Sequence, residues 1–134
     1  MSATSYKAIS KNVEIIVMVM FLEDESSEEE NNYLWAYIIK IKNKGKERIH
    51  LKRRFWRIID RSGVVNEIVG EGVVGEQPLI DPGETYEYSS AVPLSVPSGL
   101  MGGYYEMEKK DGETFQVTIP TFSLDSPFDS IIIN

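Results

Sequence analysis

Hydrophobic and polar residues alternate with a period of two in several short segments of the chain. In Tyr33–Asn43 every second residue is large and apolar, and the residues between them change from apolar to lysine along the segment. This pattern predicts a β-strand that is buried in its first half and solvated at its far end. Apolar or alternating segments that predict further strands lie at 12–22, 48–59, 64–69, 85–92, 102–108 and 114–120.

Turn signals separate these segments. Residues 60–63, Asp-Arg-Ser-Gly, predict a hairpin, and Asp81-Pro82-Gly83-Glu84 has the proline and glycine positions of a type II turn. No segment has helical spacing with a cap. We therefore predict an all-β protein: an antiparallel β-sandwich of seven to eight strands, fibronectin type III-like. Cysteine is absent, so a true immunoglobulin domain with its Cys–Trp–Cys pattern is not implied.

Length and composition indicate one domain over residues 1–134, with 42% hydrophobic and 26% charged residues. The absence of cysteine excludes disulfides, thiolate metal sites and cysteine nucleophiles. The apolar run at residues 15–22 is too short to span a bilayer, and an acidic segment follows it where a signal peptide would have a cleavage site. We expect a cytoplasmic protein that does not insert into a membrane.

Charge is distributed unevenly. The net charge of −7 does not favour a general nucleic-acid binder, but ten of the 14 Lys and Arg residues lie between Lys40 and Arg61. Six carboxylates lie between Glu23 and Glu30, in a predicted loop. We interpret that loop as a solvated acidic segment rather than an ordered Mg²⁺ or Ca²⁺ site, because runs of like charge repel each other.

Candidate catalytic residues are scarce. His50 is the only histidine, lies between two apolar strand residues and is expected at the surface. A catalytic triad or a histidine metal site would need partners that the chain lacks. Cobalt prefers imidazole and other nitrogen or sulfur ligands, so a tight cobalt site within one chain is not expected. We predict no catalytic residue, no metal ligand and no cofactor.

The glycines Gly70, Gly72 and Gly75 form a G-x-G-x-x-G motif. In a dinucleotide-binding protein this motif follows a strand and opens a helix. Here Pro78 and Pro82 follow, and they would break that helix. We therefore interpret the segment as a structural loop, in which the glycines adopt unusual φ values and the two valines between them stay extended.

The residues around these glycines resemble a known family. The segment GEGVVGEQPLIDPGETYEYSS is similar to the signature region of the ApaG family, and YLWAYIIKIKN, RRFWRIIDRSG, MGGYYEM and FQVTIPTFSL resemble other parts of it. The resemblance runs from about residue 13 to about residue 124, which we take as the domain core. It implies a fibronectin type III-like sandwich, protein–protein interaction, and a link to cobalt resistance and magnesium efflux. The family's glycine motif has also been proposed to bind pyrophosphate.

Three hypotheses about function follow. The leading one is a non-enzymatic module that binds a partner protein not identified by the sequence. The alternative is a sensor of a phosphate-containing ligand or nucleotide, with Gly70, Gly72 and Gly75 as the loop and Arg53 and Arg54 as anion contacts. For that role the glycine loop must lie near the basic strand. A weaker third hypothesis, drawn from the basic strand, is an RNA-associated factor. The apolar residues 131–133 are expected to pair onto a sheet edge of this chain or of a neighbour.

Overall fold

Two antiparallel β-sheets pack face to face in the computed structural model of the chain, which describes residues 3–129. The strands are β1 (Thr4–Ser10), β2 (Val13–Phe21), β3 (Tyr33–Asn43), β4 (Ile49–Asp60), β5 (Val65–Glu71), β6 (Leu79–Ile80), β7 (Thr85–Leu94), β8 (Gly99–Lys109) and β9 (Thr114–Leu124). The first sheet has the order β1-β2-β3-β7. The second has the order β5-β4-β8-β9, and β6 pairs with β4 beyond the end of β5.

The core forms because alternate residues of each strand face the opposite sheet. Both β2 and β3 bury every second side chain. Trp35, Tyr105 and Phe122 are among the largest fully buried side chains. Within residues 3–129 the only helical segment is a three-residue 3-10 turn at Glu23–Glu25. The predicted all-β antiparallel sandwich is confirmed.

The described part of the chain has nine strands, where the sequence predicted seven or eight. The strand that the pattern missed is β1, which pairs along β2 through a turn at Lys11 and Asn12, both with positive φ. It lies at a sheet edge and buries none of its residues completely, so it lacks an apolar alternation. The other addition, β6, is a two-residue strand.

A β-bulge in β4 decides which side chains enter the sandwich. The register with β8 shifts between Leu51 and Arg53, so these two residues pair with consecutive residues of β8, Met107 and Glu106. A residue inserted into one strand reverses the faces of all residues after it. Leu51 is buried, Arg53 is exposed, and Trp56 is buried again. The bulge therefore turns Arg54 toward the inside of the sandwich.

The sandwich is open along one side. On the other side β9 packs over β1 and β2, whereas the open side has β7 at the edge of one sheet and β5 at the edge of the other. Residues 131–133, for which we predicted edge pairing, lie outside the described residues. None of the helical structure in residues 3–129 has the length and apolar character needed to cross a membrane.

Candidate functional site

The glycine segment forms a tight hairpin. The N–H of Val73 donates a hydrogen bond to the carbonyl of Glu76 at 2.8 Å, and the N–H of Glu76 donates one to the carbonyl of Val73 at 3.0 Å. Between them Val74 has φ 48° and Gly75 φ 78°, the two positive values that a type I′ turn requires. Val73 is buried, as a packing residue should be. The prediction that both valines stay extended is wrong for Val74, because the two-residue turn needs positive φ at its first central position.

Gly72 has a structural role at the start of this hairpin. Its φ is 62°, its N–H donates to the carbonyl of Lys52 at 2.8 Å, and a Cβ there would collide with the carbonyl of Glu76. Of the five amides from Gly72 to Glu76, those of Gly72, Val73 and Glu76 are used by backbone carbonyls. No helix follows, since the chain continues into β6. The absence of a dinucleotide-type helix here was predicted correctly.

Arg54 lies against the glycine segment from inside the sandwich. A Cβ on Gly70 would lie 2.6 Å from Cζ of Arg54, so the guanidinium rests on the bare backbone of that residue. Nη1 of Arg54 donates to the carbonyls of Glu71, at 3.1 Å, and Gly72, at 2.9 Å. Two of the predicted glycines and one predicted arginine therefore meet, but the loop directs carbonyl oxygens toward the cation.

The other two predicted site residues lie elsewhere. Arg53 is on the outer face of β4 and pairs with Glu106 at 2.5 Å. Gly75 is at the tip of the hairpin, where a Cβ would have nothing within 4 Å. The structure thus places Arg53 and Arg54 on opposite faces of the sheet, and neither side chain comes within 4 Å of a Cβ built on Gly75.

Three tyrosine hydroxyls lie close enough to Arg54 to be affected by its charge. Tyr88 and Tyr105 share a short hydroxyl–hydroxyl hydrogen bond, and Tyr37 lies beside them. Burial raises the pKa of all three phenols above the ordinary value, and the positive charge of Arg54 opposes that rise. The sequence analysis treated these tyrosines as core and rim. From the sequence, the i, i+2 spacing predicts that Tyr86 and Tyr88 share one face of β7. The cation opposite that face, Arg54, could not be predicted, because only the bulge in β4 turns it inward.

A latch connects the hairpin to the opposite sheet. The hydroxyl of Tyr86 donates to Oε2 of Glu76 at 2.8 Å, across the open side of the sandwich. Burial and this hydrogen bond to a carboxylate raise the pKa of Tyr86 to about 12. The latch closes the end of the sandwich at which Arg54 lies.

Below this closed end an inter-sheet cleft of about 480 Å³ runs between β7 and the pair β4–β5. Arg54 and Ser90 line one end, Trp56 and Val92 line the walls, and Asn66 lies at the other end. Ile68 points inward from β5, and yet 42% of its surface is exposed because β7 does not cover it.

The outer face of the second sheet has an apolar groove of about 400 Å³. Its lining includes Gly102, with the side chain of Thr121 against it, and the stacked rings of Phe55 and Tyr104, whose centroids are 4.4 Å apart. The side chains of Val69 and Leu100 are exposed beside it, Val69 by 66% of its surface. We call this surface the outer apolar face, and it consists of Phe55, Ile59, Val65, Val69, Leu100 and Tyr104.

The histidine and the acidic loop form no centre in residues 3–129. His50 is half-buried, and its Nε2 lies 3.0 Å from the carbonyl oxygen of Gln77. Among the described residues no group of three or more His, Asp or Glu side chains is placed to hold a metal ion.

Comparison with known proteins identifies close relatives. A family model described as "ApaG domain" matches residues 23–109. The chain is 52% identical over 122 residues to Protein ApaG of Parvibaculum lavamentivorans, with 91% of this chain and 94% of that one covered. It is 47% identical over 129 residues to Protein ApaG of Paramagnetospirillum magneticum, with 96% and 99% covered.

Solved structures give the same result for the fold. A crystal structure of a Bordetella pertussis protein designated ApaA superimposes with a TM-score of 0.83 at 37% identity, and covers 87% of this chain and 94% of that chain. A second structure, a structural genomics target, has a TM-score of 0.82 at 37% identity and covers 90% and 91%. The sandwich described above is therefore the fold of experimentally determined relatives.

Proposed function

This chain belongs to the ApaG domain family, and we propose that it acts as a non-enzymatic binding module that docks a partner protein on its outer apolar face. The family match and the sandwich are the premises, while the docking role is the proposal. A link to cobalt resistance and magnesium efflux, as the family resemblance implies, would then act through the partner rather than through a metal site in residues 3–129.

The observation that supports the proposal is the exposed apolar surface of the second sheet. Sheets that face water on one side normally carry polar residues there. Here Val65 and Val69 of β5, Ile59 of β4 and Leu100 of β8 are all exposed large apolar residues, and they lie on one face. The exposed residues Arg57 and Glu67 lie opposite each other between these apolar residues and the rings of Phe55 and Tyr104. An exposed surface that combines large apolar side chains with a few charged ones is typical of a protein-interaction site.

The groove also has features of a specific interface. The groove beside the stacked rings of Phe55 and Tyr104 has room for a side chain from a partner. Arg57 is exposed at the groove and belongs to none of the ion pairs formed within residues 3–129. An arginine and two aromatic rings are the residue types most enriched at interface centres.

The test compares three forms of the tagged chain expressed in its native cell. Val69→Glu adds a charge to the outer apolar face, and Ile9→Glu adds the same charge to an exposed apolar site on β1, in the other sheet. We expect one protein to co-purify in stoichiometric amount with the parent chain and with Ile9→Glu, and to be lost with Val69→Glu. Retention of the same protein by Val69→Glu would refute docking at this face.

A phosphate-containing ligand is the second proposal, because Gly70, Gly72 and Arg54 lie together as that role requires. The hydrogen bonds already made by the loop amides weigh against it. In this alternative the remaining edge of the Arg54 guanidinium would bind the phosphate.

A further inference from the structure

We propose that the inter-sheet cleft binds a small amphipathic carboxylate, with its head group on Arg54 and its apolar body along the cleft toward Asn66. This site lies on the opposite face of β4 and β5 from the outer apolar face. It therefore goes beyond the partner-docking proposal and does not depend on it.

The positive charge of Arg54 has no acidic partner among the described residues. Arg54 belongs to none of the ion pairs that the described residues form, although the chain has a net charge of −7 and 21 acidic residues. Its only hydrogen bonds in residues 3–129 are those from Nη1 to two backbone carbonyls. A guanidinium has five N–H donors in a planar fork, so Nε and Nη2 remain available, and the fork fits a carboxylate.

Hydroxyl groups beside Arg54 supply further donors. The hydroxyl groups that line the cleft are those of Tyr37 and Ser90, whereas the buried, hydrogen-bonded pair Tyr88 and Tyr105 is not part of the lining. Ser90 lies across the cleft from Arg54, on β7, beside Tyr37. A carboxylate accepts several hydrogen bonds, and the phenol of Tyr37, whose pKa is raised by burial, stays protonated as a donor at neutral pH.

The walls of the cleft determine the rest of the ligand. Between Arg54 and Asn66 the apolar part of the lining includes Trp56 and Ile58 on β4, Ile68 on β5, and Val92 and Leu94 on β7. Glu67 also borders the cleft, but its register opposite Arg57 directs its side chain to the outer face. Arg54 and Ile58 are four residues apart in one strand, which spans about 13 Å. The cleft volume of about 480 Å³ lies in the range of small-molecule sites. A linear apolar chain with one anionic end matches the length of the cleft and the apolar side chains along it.

The incomplete cover over β5 indicates that the space is accessible. An inward isoleucine in a sandwich is normally packed against the opposite sheet, but Ile68 is 42% exposed at the mouth of the cleft. An apolar ligand body would bury this side chain and complete the packing between β5 and β7.

The experiment is a titration of the full chain with decanoate, followed by the backbone amide signals of Asn66, Ile68 and Ser90. We expect saturable shifts with a micromolar dissociation constant, and no saturation with decanol or decylamine. Decyl phosphate tests which anionic head group the site prefers. If it bound more than about tenfold tighter than decanoate, the assignment of a carboxylate ligand would be overturned. Equal binding of decanol would overturn the role of Arg54.

Neighbouring residues on β5 provide the matched control. Ile68→Glu places a negative charge inside the cleft, and Val69→Glu places the same charge one residue away on the opposite face. We expect Ile68→Glu to weaken decanoate binding at least about tenfold, with Val69→Glu unchanged. Loss of binding in Val69→Glu with retention in Ile68→Glu would place the ligand on the outer apolar face and refute the proposal.

Arg54 is tested by two substitutions. Arg54→Met should weaken binding at least about tenfold, and Arg54→Lys should restore part of it, because lysine keeps the charge without the planar fork. Since Arg54 also holds the glycine hairpin, each variant is first checked for native amide dispersion. Ile68→Glu, whose side chain makes no such contact, keeps the proposal testable if the Arg54 variants unfold. Undiminished binding by a folded Arg54→Met would overturn the proposal.

Discussion

The guanidinium of Arg54 lies over the α-carbon of Gly70, on the inner face of the second sheet, and its Nη1 joins two carbonyls of the glycine segment. Gly70 has no positive φ, unlike Gly72 and Gly75. The three glycines of the motif are therefore needed for different physical reasons, which substitution by alanine can separate.

Gly72→Ala should be the most destabilising of the three alanine substitutions. It combines an unfavourable φ with a collision against the Glu76 carbonyl, so we expect a loss of about 2 kcal/mol or more in the free energy of unfolding. Gly75→Ala has the φ penalty alone and should cost about 1 kcal/mol. Urea denaturation of the two variants measures the order. A larger loss for Gly75→Ala would contradict it.

Gly70→Ala should act through Arg54. The new methyl group displaces the guanidinium and breaks its two hydrogen bonds, at a cost of about 1 kcal/mol. In an Arg54→Met background the same change should cost almost nothing, because no guanidinium remains to displace. A double-mutant cycle in urea measures this coupling, and additive effects would show that Gly70 has another role.

Val74→Asn should stabilise the protein. A β-branched residue in the left-handed region is strained, whereas asparagine is favoured at the first central position of a type I′ turn. Because the Val74 side chain is mostly exposed, little packing is lost, and we expect a gain of about 1 kcal/mol. Val65→Asn, at an exposed position in an extended strand, is the control and should give no gain. Thermal unfolding of both variants tests the difference.

Alkaline pH should destabilise the fold through its tyrosines. The pKa of Tyr86 is raised to about 12, above an unfolded value of about 10. Its contribution to stability is fully present below pH 10 and is lost as the pH rises through 12, because the unfolded state releases its proton first. Tyr86→Phe should reduce the slope of stability against pH in that window. Glu76→Gln should lower the pKa of Tyr86, visible in the tyrosinate absorbance, and an unchanged pKa would contradict the latch.

The phosphate proposal can be separated from a purely structural role for the hairpin. We expect pyrophosphate, ATP and NAD at micromolar concentration to leave the amide signals of Gly72, Val73 and Glu76 unshifted, because these amides bond to backbone carbonyls. Saturable shifts at these three amides would show that phosphate binds at or beside the hairpin, and would make the second proposal the leading one.

The sandwich was predictable from the sequence wherever a strand buries one face. β3 shows this in the alternation from Tyr33 to Ile41, and the Asp81–Glu84 turn has the bond and the positive φ at Gly83 that its sequence predicts. β1 was not predictable by this rule, because an edge strand that stays largely in water has no apolar periodicity to detect.

The candidate site was only half predictable, because its geometry depends on one bulge. Strict alternation from the buried Leu51 would direct Arg53 inward and Arg54 outward. Only the register against β8, which involves residues more than 50 positions away, shows that the order is reversed. The glycine motif therefore indicated the correct segment of the chain, but the bulge determines which of the two arginines faces that segment.

β5 is a seven-residue strand with a single neighbour, and its two faces border two different surfaces. A ligand that contacts Ile68 in the inter-sheet cleft also restrains the backbone of the next residue, Val69, whose side chain faces outward. If each surface has an occupant, their affinities are thermodynamically coupled through this strand, and linkage makes the effect reciprocal. That coupling would pass through a single layer of backbone, between the inward side chain of Ile68 and the outward side chain of Val69.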